Sequence, residues 1–399
     1  MRHALIIGAG IAGPAAALAL RRAGIRSTVY ESHSTSAESV GGFLTVAVNG
    51  RNALRALDCA DCLREGFPTP RMSIYSGTGK RLAAFDYGPT LADGDSCRTM
   101  NRTDLYAALR ATALARDIEI VHGKRLVEVE PRRAGVRAVF ADGSAADGDL
   151  LIGADGLRSR TRMLIDPAAP PARYTGLLNT GGYAHGAKVD APVGEMTFVF
   201  GRRAFFGYVR HPDDAVWWFT NFGAAAEPRP DELAAMDVRA RLNDLFAGDN
   251  SPALDLIAHT EQLIAPFGTY DFPSVPTWYR DGMIIIGDAA HAASPASGQG
   301  ASMALEDAVV LGKALRDEAS VESAFASYER QRRARVEHVV AWGKKRGDRK
   351  APGYLGRLLR DHVIFPLFVA RGAGATDPNA WMYEFPAEWD ADPVREAQL

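Results

Sequence analysis

The sequence predicts an α/β protein with a Rossmann-like dinucleotide-binding domain, a smaller antiparallel-sheet domain and C-terminal helices. Three observations predict it: a strand, glycine-rich turn and helix at the start, alternating patterns from about 174 to 270, and a second strand-turn-helix from 283. Residues 4–7 are an uncharged apolar run, as expected of a parallel strand buried on both faces. Gly8, Gly10 and Gly13 follow at the spacing GxGxxG. Gly8 permits a tight turn, Gly10 lets backbone approach a pyrophosphate, and Gly13 lets the helix pack close to the strand. That helix starts near Ile11 and Ala12, and its free N–H groups and dipole favour the anion. Glu31 closes the second strand about 20 residues further on, where an acid accepts ribose hydroxyls. An acid there fits NAD or FAD better than NADP.

The remaining elements follow in order. Residues 40–49 read as an apolar strand and 52–64 as a helix. Residues 103–116 form a helix with Thr103 as N-cap. Strands near 126–130 and 136–140 make a hairpin before another buried strand, and the proline-rich stretch 167–171 marks a boundary. Alternating strands at 195–200, 204–209 and 216–222 build the second sheet, interrupted by helices within 230–260. Residues 283–286 are a buried strand broken by Gly287, which puts Asp288 at a strand's C-terminal end, where ligands of open α/β sheets lie. Pro295, Gly298 and Gly300 precede a helix over 301–315 that carries Glu306 and Asp307. Helices near 320–346 and 354–370 finish the fold. The predicted division is 1–172, 173–274 and 275–399, the first and last parts forming one domain around the middle one.

Three stretches together resemble the class A flavoprotein monooxygenases, which include para-hydroxybenzoate and salicylate hydroxylases and tetracycline-inactivating enzymes. They are the glycine fingerprint with Glu31, the "DG" motif from Asp149 to Gly156 and the "GD" motif Gly287-Asp288 with Pro295 and Gly298-Gln299-Gly300. The resemblance spans nearly the whole chain. It implies that the first domain binds FAD and the antiparallel sheet binds substrate. It further implies that Asp288 bonds the ribityl chain and that Pro295, Gly298, Gln299, Gly300 and Ala301 border the isoalloxazine. By the same resemblance Arg102 contacts FAD, and Asp155 touches both FAD and the reductant.

The implied reaction consumes NADPH or NADH and dioxygen. The family forms a flavin C(4a)-hydroperoxide and transfers one oxygen atom to an aromatic or polyketide-like small molecule, by hydroxylation or epoxidation, which suits secondary metabolism. Antibiotic inactivation, Baeyer–Villiger insertion and a flavin-dependent oxidase or dehydrogenase are the alternatives. Substrate-wall candidates are Phe198, Phe200, Phe206, Tyr208, Trp217 and Phe219, of which strand alternation turns about half away. Tyr208 and Arg210 are the polar candidates with reach. Some small family members carry a histidine near position 45, where this chain has Thr45, so no catalytic base is assigned. His291 reads as structural, and His185 and His211 as surface or core residues.

Composition sets bounds. The 399 residues carry 46 Lys plus Arg against 48 Asp plus Glu, a net charge of −2, which gives no field for nucleic acid. Three cysteines, Cys59, Cys62 and Cys97, fit a reducing compartment, and the CxxC has no second pair for zinc. No leader or membrane span is read, no metal site is expected, and the expectation is a cytoplasmic protein. The chain leaves no room for the thioredoxin-like extension of larger hydroxylases, so monomer or small homo-oligomer stays open.

Overall fold

The computed structural model describes residues 2–34, 42–91, 94–133, 135–347, 380–385 and 388–390. The helix expected near 354–370 lies outside the described residues.

The first strand, His3–Ile7, is flanked by parallel partners on both sides, Leu150–Gly153 and Arg26–Tyr30. Met283–Ile285 and Glu119–Val121 extend the parallel sheet outward, and Tyr279–Arg280 closes one edge in the antiparallel sense. The buried runs place these strands centrally, since apolar residues on both faces need cover on both. The Ala12–Arg22 helix supplies one cover. Its Ala and Leu content favours helix, and Gly24, at φ +75°, turns the chain into the next strand.

A second sheet has seven strands in the order Phe267–Asp271, Arg173–Ala184, Val216–Gly223, Ala204–Arg210, Glu195–Phe200, Arg71–Ser76 and Arg81–Asp86. The three predicted strands between 195 and 222 are present, and the sheet is antiparallel except where Glu195–Phe200 runs parallel to Arg71–Ser76. That exception arises because a hairpin from early in the chain, turning through Gly77 and Gly79, is added to the sheet's edge.

Several boundaries differ from expectation. The strand expected at 40–49 is Phe43–Val46, and Asn49 already lies in a helix, Val48–Ala56. Asp58 takes a left-handed φ of 53°, which ends that helix and separates a short 3-10 turn, Ala60–Leu63, from it. The next helix starts at Arg102 with Asn101, not Thr103, at the N-cap. A third strand, Ala145–Gly148, joins the predicted hairpin Leu126–Pro131 and Val136–Phe140. The helix expected at 301–315 is Gly300–Asp317, and the following one is Val321–Gly347.

The Gly300–Asp317 helix is the pivot of the core. It packs on Ala12–Arg22, where a Cβ on Gly312 would sit 2.7 Å from Ala19 Cβ, and on Val48–Ala56, where a Cβ on Gly50 would sit 2.9 Å from Ser302 Cα. Small residues at both crossings bring three helices together. No helix among the described residues is long and apolar enough to cross a membrane.

Candidate cofactor and substrate site

A cavity of about 850 Å³ lies between the C-terminal ends of the parallel strands and one face of the seven-stranded sheet. Gly10, Ile11 and Ala12 line one end of it. The three fingerprint glycines differ in their surroundings as their assigned tasks require. Gly8 has φ +103°, and a Cβ there would strike the Ala154 carbonyl; a Cβ on Gly13 would collide with the Gly8 carbonyl. A Cβ on Gly10 would meet nothing within 4 Å. Gly8 and Gly13 therefore hold the turn together, while Gly10 leaves a cradle open to the cavity.

Two helix N-termini converge on this space. The helix beginning at Ala12 has no acid in its first turn and no side chain capping its N–H groups, and the same holds for the helix beginning at Gly300. Gly300 and Ala301 line the cavity, as do Pro295, Gly298 and Gln299 before them. Each terminus offers partial positive charge to an anion or an electron-rich ring edge.

Glu31 ties the turn to the second strand. Its Oε2 accepts the Ala9 N–H at 2.8 Å and its Oε1 accepts the His33 N–H at 3.0 Å. Burial raises the Glu31 carboxyl, but these backbone bonds and the His33 ring outweigh it and bring the group down to about 2. Glu31 is therefore a carboxylate at neutral pH. Arg110, which the sequence did not suggest, donates from Nε to the Ala9 carbonyl at 2.8 Å and braces the same turn.

Arg102 opens its helix at the cavity wall, with Nε donating to the Tyr106 hydroxyl at 2.8 Å. The Asp155 side chain is engaged within its own turn. Its carboxylate accepts the Thr161 N–H at 2.9 Å and the Ser159 and Thr161 hydroxyls, so the side chain shapes the turn while neighbours Ala154 and Gly156 line the cavity. Arg162, buried, then donates to the Leu157 and Ala289 carbonyls, which fastens the DG turn to the GD turn.

Asp288 is exposed on the cavity wall at the start of a short helix. Its position is fixed from behind. Gly287, at φ +59°, donates its N–H to Asp307 Oδ2 at 2.8 Å, and His291 Nε2 meets the same oxygen at 2.6 Å. Arg332 donates to Asp307 at 2.7 Å and to Glu306 at 2.6 Å, all three side chains being fully buried. Burial works to raise the Asp307 carboxyl, but His291 and Arg332 hold it down at about 2. His291 is thus structural, as read from the sequence. Buried Asn49 donates to Gln299 Oε1 at 2.9 Å and to Glu306 Oε1 at 2.6 Å, which sets the cavity-lining Gln299 against the same network. The adjacent acids of an otherwise apolar helix were the sequence signal for a buried cation such as Arg332. Nothing comparable marked Asn49.

Across the cavity stand Met196, Phe198, Phe200, Phe205 and Phe219 of the sheet. Phe198, Phe200 and Phe219 were expected there. Phe206 and Tyr208 face the other way. Tyr208 is paired opposite Thr197, so it shares the face away from Met196 and Phe198, and it packs beside Phe206 and Val199 in a separate core. Burial pushes its phenol up to about 12. Arg210 is bound to Asp214 at 2.7 Å at the hairpin end, outside the cavity. Neither polar candidate lines this cavity. Trp217 stacks on His211 at 4.7 Å beyond the cavity's end, and Thr45 spends its hydroxyl on Thr99.

Cavity and donors fit one extended dinucleotide whose two ends meet different chemistry: an open glycine cradle at one end, an aromatic wall at the other. A family model described as "FAD binding domain" matches residues 1–343. The chain is 32% identical over 351 residues to an FAD-dependent urate hydroxylase of Klebsiella pneumoniae, covering 86% of this chain and 89% of that protein. It is 30% identical over 351 residues to a 6-hydroxynicotinate 3-monooxygenase of Pseudomonas fluorescens, covering 84% and 88%. The crystal structure of Klebsiella pneumoniae HpxO complexed with FAD and uric acid superposes with a TM-score of 0.77 at 29% identity, over 89% of this chain and 90% of that one. The chain therefore belongs to the FAD-binding family of class A flavoprotein monooxygenases and is an FAD-dependent oxidoreductase.

Proposed function

We propose that the enzyme consumes NADH or NADPH and dioxygen to insert one oxygen atom into an aromatic or polyketide-like ring, by hydroxylation or epoxidation. The observation that carries the substrate class is the wall facing the glycine loop, where Met72, Met196, Phe198, Phe200 and Phe219 offer only apolar surface. Such a wall binds a flat ring by area and aromatic contact. The relatives named for urate and 6-hydroxynicotinate support a flat ring.

Bound FAD supplies hydride acceptance and dioxygen activation, which side chains do not. This chain supplies the grip and the dry surroundings. In this reading the Ile11 and Ala12 N–H groups hold the pyrophosphate over Gly10, Glu31 accepts ribose hydroxyls, and Asp288 accepts from the ribityl chain. Arg102 adds a positive charge along the wall. Pro295, Gly298, Gln299, Gly300 and Ala301 border the ring system, where the helix N-terminus favours negative charge. The apolar wall excludes water from the reacting face. Segments 1–172 and 275–399 form the cofactor part and 173–274 the substrate part, with the 71–86 hairpin added to the latter's sheet. Three free, buried cysteines support a cytoplasmic setting.

Reductant consumption by purified holoenzyme, measured with and without aromatic compounds, tests the reaction. Substrate-stimulated NAD(P)H oxidation is the expected result; peroxide formed from substrate alone, without NAD(P)H, would make the enzyme an oxidase instead.

A further inference from the structure

The sequence assigned no role to Tyr87, which follows the Arg81–Asp86 strand at the seam between the aromatic wall and the Gly298 turn. It lines the cavity, and its hydroxyl lies 3.3 Å from where a Cβ on Gly298 would stand. Its backbone is pinned on both sides: the N–H donates to the Pro70 carbonyl at 2.7 Å, and the carbonyl accepts the Cys97 thiol at 2.9 Å. The backbone that carries the ring is therefore held in place.

Two other cavity phenols are already engaged. Tyr106 accepts from Arg102, and Tyr270 donates to Glu227. Among the described residues, the Tyr87 hydroxyl has no hydrogen-bond partner; Met72, Ile74, Phe85, Met196, Phe198 and Phe219 on the adjoining wall carry no hydrogen-bonding group, while the Arg346 guanidinium, which also lines the cavity, acts on the phenol through its charge. Burial raises this phenol well above the ordinary tyrosine range, so it is a protonated donor at neutral pH. A polar group that borders a cavity and lacks a protein partner is satisfied by water or by ligand. Water there is displaced when an apolar ring fills the space, so the ring must carry a replacement acceptor or leave the hydroxyl unpaired.

We propose that Tyr87 is a substrate-binding residue, its hydroxyl bonding an oxygen substituent of the aromatic substrate and thereby orienting the ring beside the Gly298 turn. The inference rests on the aromatic-substrate reading above and adds that the ring bears a hydroxyl or carbonyl oxygen. The substituent fixes in-plane rotation of the ring, which the apolar wall cannot do, since contact area is indifferent to it.

The test uses oxidised holoenzyme, with 2-naphthol and naphthalene as probes and the flavin absorbance as readout. Wild type is expected to bind 2-naphthol about tenfold more tightly than naphthalene, the worth of one neutral hydrogen bond. In Tyr87→Phe that preference is expected to fall to about twofold or less, with FAD content unchanged. The proposal is overturned if the variant keeps the preference, if it loses FAD, or if wild type shows no preference, including no response to either probe. Binding is read without reductant, so failure of the oxygenase reading is separable: stimulated NAD(P)H oxidation would be absent while the Tyr87-dependent preference remained.

Discussion

Two glycines within six residues of the first strand make opposite predictions, because a side chain would point in different directions. Gly10→Val adds atoms into open cavity, so the apoprotein should melt within a degree or two of wild type, about the scatter of a neutral surface change, while FAD is lost. Flavin-to-protein absorbance after reconstitution measures it. Gly13→Val drives its side chain into the Gly8 carbonyl, so it should reduce soluble, folded protein as well as flavin, read by expression and circular dichroism. At this scale the cavity-lining places of Gly10 and Asp288 were legible, because each sits at a fixed offset from a strand end, and those of Arg102 and the Gly298 loop were legible through the family resemblance. Asp155 was legible only by position. Its side chain turned inward to cap its own loop, a choice made by Ser159 and Thr161, whose role no spacing rule reveals. Tyr208 and Arg210 were misplaced for a different reason. Their strand was correctly located, but a one-residue change of parity decides the face, and only the partner strand sets it.

At the scale of elements, the Gly300–Asp317 helix joins the cofactor loop to the core through charges buried without solvent. Arg332 stands between Glu306 and Asp307, and Arg335 adds a second cation to Glu306 at 2.8 Å. Removing one partner leaves an unbalanced buried charge, so Asp307→Asn should cost about 3–5 kcal/mol in denaturant unfolding. It should also loosen the GD turn, since Asp307 accepts the Gly287 N–H, and so weaken FAD binding. The pH dependence follows from the same group. Asp307 and Glu31 are both held near 2 in the folded protein, below their unfolded values, so their stabilisation is complete above about pH 5 and is lost as pH falls through 4 toward 2. For Asp307 this amounts to about 2 kcal/mol. Thermal unfolding of wild type between pH 5 and 2.5 should therefore steepen below pH 4, and Asp307→Asn should flatten that part of the profile; an unchanged profile would remove Asp307 from the account. The helix itself was readable from its apolar period. Its cross-braces were not, because Asn49 and Arg332 lie about 250 and 25 residues away from their partners, and Asn49 was read as part of a strand. Asp58, in a left-handed conformation that favours glycine, ended the helix where no punctuating residue announced it.

Over the whole molecule, one cavity is shared by a parallel sheet that presents backbone N–H groups and a second sheet that presents aromatic faces. The division of labour was visible in sequence as a switch from uncharged runs to alternating ones. The hairpin 71–86 escaped notice because it lies inside the stretch that otherwise builds the cofactor part, and its edge pairing with Glu195–Phe200 is a long-range event. In the proposed arrangement the opening glycine turn and the GD loop hold a single FAD across this cavity, with its ring system against the aromatic wall. A crystal structure of the holoenzyme tests it most directly. Adenosine is expected beside Glu31, pyrophosphate over Gly10 and the flavin ring between residues 295–301 and Phe198; adenosine density at any other place would overturn this arrangement.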